Sequence, residues 1–492
     1  MESTCAPNRF YSVDSAISGR YLLRVPPDLS EAGTGAAFAS ESGASGQVTA
    51  PRIQERRFVT DTVPLRKNTR FQLLWAGSAV SELGSELTRL AMPLLVLALT
   101  GSPGLAGIVA GARTVAFVAV QMPAGVWVDR WDRRRTLITA QGLQAVVSAL
   151  LTALIITGHV QVWQFVTLAV LDGLCVAFIG PVQETAIRGI VPSGQLHSAY
   201  AQEEARTHAA GLVGPPLGGL LYGLGRAVPF VVDTITFLAA TLFYALAKVP
   251  RRPADEPPPS ARDDGEEQRP VRRSMRREAA EAIVWLWRQH GLREVTAAVM
   301  VLNLLGGASL IPLIVLVGER GGDARITGTV LAGFGIGGLA GALLSGRISK
   351  LLPPGRLLLA VVTVFGAALA ATALPWGAWW PVIPLVFITL STPSLNVVMS
   401  VVVARMVPEA MLGRMGAVLS MGAMALKPLG PVLGGALAAA LGGAAALIVL
   451  GGLLGLTAAV AALSPQLRRF TGEASTAGDD TSTDDKAPRA PA

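Results

Sequence analysis

"GVWVDRWDRRRTLI", Gly125 to Ile138, packs four arginines and two aspartates into fourteen residues between two long apolar runs. Charge at that density is excluded from hydrocarbon, whereas a helix needs about 20 mostly apolar residues to cross it. The stretch therefore reads as a tight turn between two spanning helices. Because Lys and Arg are retained on the cytoplasmic side, Arg130, Arg133, Arg134 and Arg135 place this turn inside.

Outward from the turn, the rest of the chain agrees. Its 492 residues are 51% hydrophobic and 15% charged, with a mean hydropathy of +0.50, a membrane composition rather than a soluble enzyme's. Apolar runs lie near 71–99, 104–126, 136–157, 162–185, 200–224 and 228–248, and again near 293–317, 326–348, 356–375, 380–404, 412–439 and 444–463. The expectation is an all-α membrane protein of twelve transmembrane helices in two six-helix bundles, 69–248 and 291–465. Residues 1–68 and 466–492 are expected to be disordered cytoplasmic tails, and 249–290, with "PADEPPPSARDDGEEQRP" at its heart, a cytoplasmic linker. The linker's end places Ile283, Trp287 and His290 at helical spacing, which suits an amphipathic helix on the inner membrane surface.

Loops after even-numbered helices carry Arg188, Arg347, Lys350, Arg356, Arg405 and Arg414, whereas those after odd-numbered helices hold few cations, Arg226, Arg320 and Arg325 being exceptions. Both termini are thus expected in the cytoplasm and the protein in the cytoplasmic membrane, its partner the bilayer. The net charge of +8 resides in loops and tails and forms no nucleic-acid patch. No GxxxxGK[ST] loop supplies ATP. "GFGIGG", Gly333 to Gly338, matches GxGxxG but lies inside an apolar run. Four scattered histidines and two cysteines offer no metal site, so no cofactor, metal or enzyme activity is expected, and a monomer is.

The halves are self-similar. "VPSGQLHSAYAQEEARTHAAGLVGPPLGG", Val191 to Gly219, lies without a gap on "VPEAMLGRMGAVLSMGAMALKPLGPVLGG", Val407 to Gly435, so that Gly214, Pro215, Gly218 and Gly219 fall on Gly430, Pro431, Gly434 and Gly435. These residues allow close helix approach and a proline-induced bend. The shift of 216 also puts Gly125 on Gly341 and Asp129 on Ser345.

These motifs resemble the major facilitator superfamily, and within it the bacterial branch of drug, macrolide and siderophore exporters. "GVWVDRWDRRRTL" is similar to the superfamily's signature between helices two and three, with Asp132 where Gly is frequent, and "GPPLGG" resembles the antiporter motif GPxxGG, its upstream Gly replaced by Ala210. The resemblance implies that helices 1, 4, 7 and 10 line a central cavity while 3, 6, 9 and 12 face lipid. It also implies a cytoplasmic gate of Gly125, Asp129, Arg130, Arg133 and Arg134. In it Asp129 meets the amino end of the eleventh helix and Arg130 or Arg133 pairs with Glu184.

A mid-bilayer charge costs on the order of 2.5–3.5 kcal/mol on the insertion scale, so charged residues there face a passage or a partner. Glu82, Glu86 and Arg89 share one face of the first helix. Glu86 can pair with Arg89 or Arg113, leaving Glu82 as the acid able to exchange a proton; a fully paired structural network is the alternative. Asp172 lies at the depth of Arg89 and Arg113. Asn303 and Asn396 belong to the seventh and tenth helices, Lys427 is mid-helix in the eleventh, and Asp233, near the start of the sixth, is assigned an interfacial role. The functional expectation is export of hydrophobic or amphipathic small molecules by proton antiport with alternating access. Export of a specific metabolite such as a siderophore, and a transporter-like scaffold or sensor, are the alternatives.

Overall fold

The computed structural model describes residues 64–128, 131–249, 284, 286–287, 289–406, 419 and 422–468. Among these the chain is helical throughout. The first six spans are Thr69–Thr100, Pro103–Val128, Arg133–Thr157, Val162–Ile190, Leu196–Leu224 and Val228–Ala247. Side chains set the starts: Asn68 accepts from Phe71 N at 3.2 Å, and Asp132 accepts from Arg135 N at 3.0 Å. Asp132, which departs from the superfamily signature, is thus the N-cap of the third helix. Gly101 and Gly158 end the first and third helices at positive φ, where a side chain would be strained.

The seventh span is divided at Ser309 into His290–Ala308 and Leu310–Glu319. The eighth is Ala324–Leu351 and the ninth Pro354–Ala371, and the tenth is divided at Ser391 into Val382–Leu390 and Thr392–Met406. Leu429–Leu463 runs on as one helix only by assignment, because Gly442 has φ 79° and ψ 174° and so separates the eleventh span from the twelfth.

Among the described residues, ten segments are long and apolar enough to cross a membrane. The 42-residue segment Gly422–Leu463 holds two spans, parted at Gly442. The 29-residue fifth helix, about 44 Å long at 1.5 Å per residue, falls outside the ten because Glu203, Glu204, Arg206 and His208 lower its hydropathy. Together these make the twelve. Apolar side chains such as Ile156, Leu224 and Leu343 lie exposed, as a lipid-facing surface requires.

The eleventh helix departs from the continuous run expected over 412–439. Residues 422–425 are helical, 426–428 form a turn, and the helix resumes at Leu429. Pro428 and Pro431 supply the reason, since neither offers an amide to the helix ladder. Lys427 therefore sits on a tight turn within the eleventh span, its N–H bonded to Met424 O at 3.1 Å.

The internal symmetry is sharper than the sequence alignment. Pro215 O and the Gly219 Cα pack on Gly328, as Pro431 O and the Gly435 Cα pack on Gly107. The fifth and eleventh helices correspond at the shift of 216, whereas Gly107 and Gly328 stand 221 positions apart. Leu87 O against Gly218 and Ala308 O against Gly434 repeat the offset of 221 for the first and seventh helices. Gly125 thus corresponds to Gly346, and not to Gly341 as the single ungapped shift has it. A uniform shift fails because the connections between helices differ in length.

The halves meet where the second helix crosses the eleventh and the fifth crosses the eighth. Both crossings lie toward the face bearing Gly101 and Gly158. There one buried cluster joins Ala91, Leu95, Val109, Phe165 and Phe230 to Ile311 and Ala438 of the second half. On the opposite face, the cluster of Phe71, Leu74, Val128, Leu137, Val182 and Tyr244 contains first-half residues only. Shared core at one end and separate core at the other describe halves closed on the Gly101 face.

Arg320 ties the Gly101 face together, donating to Ala373 O at 2.8 Å and Gly377 O at 3.2 Å. Arg320→Ala leaves the carbonyls at the end of the ninth helix without these donors, and a stability loss of about 1–2 kcal/mol is expected. Thermal unfolding in detergent measures it, and an unchanged Tm would refute the assignment.

Candidate functional site

A cavity of about 490 Å³ lies between the halves. The first helix contributes Glu86, Thr88 and Arg89, the second Arg113, the fourth Asp172 and the fifth His208. The seventh contributes Leu310 and the eighth Leu331 and Phe334, and Pro431 of the eleventh completes the wall. The third and sixth helices, which the resemblance places against lipid, also reach it, through Ser148 and through Asp233 and Phe237. They do so because the first helix is thin at Gly84: a Cβ there would stand 2.6 Å from Asp233 Oδ1 and 2.1 Å from Thr236 Oγ1.

The charges are matched across helices. Arg113 Nε meets Asp172 Oδ2 at 2.6 Å, and Gln144 Nε2 donates to Asp172 Oδ1 at 2.8 Å. The chain continues through Gln141, which donates to Gln144 Oε1 at 3.3 Å and accepts from Ser81 Oγ at 3.1 Å. One network thus binds the first, second, third and fourth helices. Arg89 pairs with Glu86 on its own helix. The Arg89 side chain is 59% exposed although it lies mid-helix, so the space between the halves reaches it. Glu86, 9% exposed, is wedged against the fifth helix, where Gly214 leaves room for its Cβ.

The remaining expected residues fall in several places. Glu82 is half-buried one turn from Glu86 and is not part of the cavity wall. It lies within electrostatic range of Arg89 and Arg113. Asn303, its counterpart at the 221 offset, donates to Ala423 O at 2.9 Å and so ties the seventh helix to the eleventh. Asn396 is exposed and outside the cavity wall. Lys427, also outside the wall, is within electrostatic range of Arg89 and Arg113.

Of the expected gate, Asp129 and Arg130 lie outside the described residues. Gly125 has open space around it. Arg134 donates to Ala245 O at 2.6 Å, fastening the third helix to the end of the sixth. Arg133 lies near Gly189. Glu184 pairs with Arg188, four residues along its own helix, at 2.5 Å, and not with Arg133. Trp127, Trp131 and Phe178 stack beside this turn with centroids 5.7–6.0 Å apart. Of the linker helix, Ile283 is outside the described residues; Trp287 is exposed, with the Arg293 guanidinium 5.7 Å above its ring.

The paired glycine motifs have distinct tasks. Gly214 and Gly218 admit the first helix and Gly430 and Gly434 the seventh, within each half. Gly219 admits Ala324 O and Gly435 admits Pro103 O, across the halves. A carbonyl so close to a Cα tolerates no side chain, which explains why the motif ends in two glycines.

Asp233 is the residue that sequence reasoning misplaced. It is 2% exposed, beside the cavity, with Ser148 Oγ donating to its Oδ2 at 3.1 Å. The available signal was that no basic residue precedes Lys248 on its own helix, so its surroundings must come from other helices.

A twelve-helix, two-fold repeated membrane protein with a cavity between its halves has the architecture of a small-molecule transporter. The profile of the Major Facilitator Superfamily matches residues 74–388 and 296–484, and the chain belongs to that superfamily. Multidrug efflux pump Tap of Mycolicibacterium fortuitum is 27% identical over 81% of this chain and 95% of its own length. Macrolide efflux protein A of Streptococcus pyogenes is 26% identical over 37% of this chain, and the match spans 45% of that protein. The crystal structure of a bacterial homolog of the human lysosomal transporter Spinster, inward-facing and unoccupied, superposes with a TM-score of 0.64. That match has 14% identity and covers 84% of this chain and 99% of that one.

Proposed function

We propose that the protein exports hydrophobic or amphipathic small molecules across the cytoplasmic membrane by proton antiport, its two halves rocking about the central cavity. The observation that carries this reading is the cavity's two-sidedness. Its charged side chains, Glu86, Arg89, Arg113 and Asp172, all come from the first half, where they stand among apolar ones such as Met92, Leu151 and Phe237, while the second half adds Leu310, Leu331 and Phe334 and no charge. An amphipathic molecule satisfies both walls at once. The relatives named for macrolide and multidrug efflux support the same direction of transport. Of the cations that would suit an anionic siderophore, Arg89 and Arg113 are each matched by an acid, and Lys427 is not part of the cavity wall.

Substrate arrival in this reading disturbs the Arg113–Asp172 pair and so reports occupancy to four helices. The bundles 69–248 and 291–465 move as units, joined by the linker 249–290, with both termini cytoplasmic and the protein acting as a monomer. Inside-out vesicles test it. An acid interior is expected to drive accumulation of erythromycin or ethidium, and a protonophore to abolish it. Accumulation of both that ignores the proton gradient would refute antiport, and accumulation of neither would refute the substrate class.

A further inference from the structure

We propose that Asp233 carries the exchanged proton and that Arg113 is shared between it and Asp172. The inference deepens the antiport reading and rests on it. Asp233 Oδ2 faces Ser148 Oγ at 3.1 Å, whose one hydrogen is shared between it and Phe230 O at 3.2 Å and which accepts from Thr234. Oδ1 is buried and faces the buried hydroxyl of Thr88 on the first helix.

No cation lies within ion-pair distance of Asp233 among the described residues, in contrast to Glu86 and Asp172. A buried carboxylate that meets only neutral hydroxyls and no cation is costly at such a place, and the protonated acid is the form that fits. As a neutral acid, Asp233 gains an O–H that can reach the Thr88 hydroxyl.

The charged groups that act on Asp233 come from across the bundle. The first helix presents Thr88, the third Ser148, the fourth the Asp172 carboxylate and the second the Arg113 guanidinium. Arg113 is held by Asp172 at 2.6 Å and also feels Asp233 and Glu82. When Asp233 releases its proton to water in the passage, it becomes a second anion competing for Arg113. Loss of the proton and loosening of the Arg113–Asp172 pair are then one event. That pair anchors the chain of bonds reaching the first and third helices, so the proton state of a buried acid is communicated to the packing of the first half.

The full-length protein in proteoliposomes tests this with Asp233→Asn and Asp233→Glu. Protons moved per erythromycin are expected to fall at least about tenfold in Asp233→Asn and to return with Asp233→Glu. Infrared difference spectra supply a readout independent of transport. The wild type at neutral pH is expected to show a protonated carboxyl C=O band that Asp233→Asn lacks. An identical band in the variant, or unchanged proton coupling, overturns the proposal. Wild-type vesicles that show no proton-driven accumulation would instead refute the antiport reading, while the band still decides whether Asp233 holds a proton.

Discussion

Arg113→Leu is expected to lower erythromycin accumulation on the order of 100-fold, equivalent to about 3 kcal/mol, without preventing membrane insertion. Arg113 and Asp172 meet at 2.6 Å, and Gln144 completes the carboxylate. Removing one partner leaves the other charge without compensation in a space of low dielectric. Asp172→Asn should cause a comparable loss, because it leaves the guanidinium facing the cavity alone. The double variant Arg113→Leu/Asp172→Asn separates stability from function. Its Tm should recover toward the wild type, since neither charge is then stranded, while accumulation stays lost. A double variant that transports at the wild-type rate would show that the pair only holds helices together.

Gly219→Val and Gly435→Val are expected to lower transport at least about tenfold and stability by about 1–3 kcal/mol each, the range for overpacking. At Gly219 a Cβ would stand 2.2 Å from Ala324 O, and at Gly435 2.6 Å from Pro103 O. Backbone cannot yield as a side chain end can, so the second and eleventh helices, or the fifth and eighth, must separate. Gly180→Ala is the control, because open space surrounds that position. Transport and thermal unfolding measured side by side decide the matter. A Gly219→Val protein with wild-type Tm would mean that the crossing is not closed in the resting molecule.

The fold was legible because hydrocarbon imposes its own length and composition on every span, and because Gly214 to Gly219 and Gly430 to Gly435 repeat each other. What sequence could not give was depth around the helix axis. Asp233 lies near the start of an apolar run, a position that suggests an interfacial or loop-bonding role, yet Gly84 on a helix far away in sequence opens the space that draws it inward. Glu82 shares a helix face with Glu86 and Arg89 but, one turn further along, lies off the cavity wall. Lys427 was assigned to a regular helix because two nearby prolines do not by themselves say whether a helix bends or breaks.

Such a break has a mechanical consequence. A straight rod that pivots must swing both ends together, so any separation at one face forces an equal approach at the other. With only three-residue hydrogen bonds holding the rod at 426–428, the segment from Leu429 onward can stay clamped against Pro103 and Gly107 while residues 422–425 tilt. The eleventh span would then serve as a jointed lever, and stiffening the joint would convert graded motion at one mouth into an all-or-none swing of both.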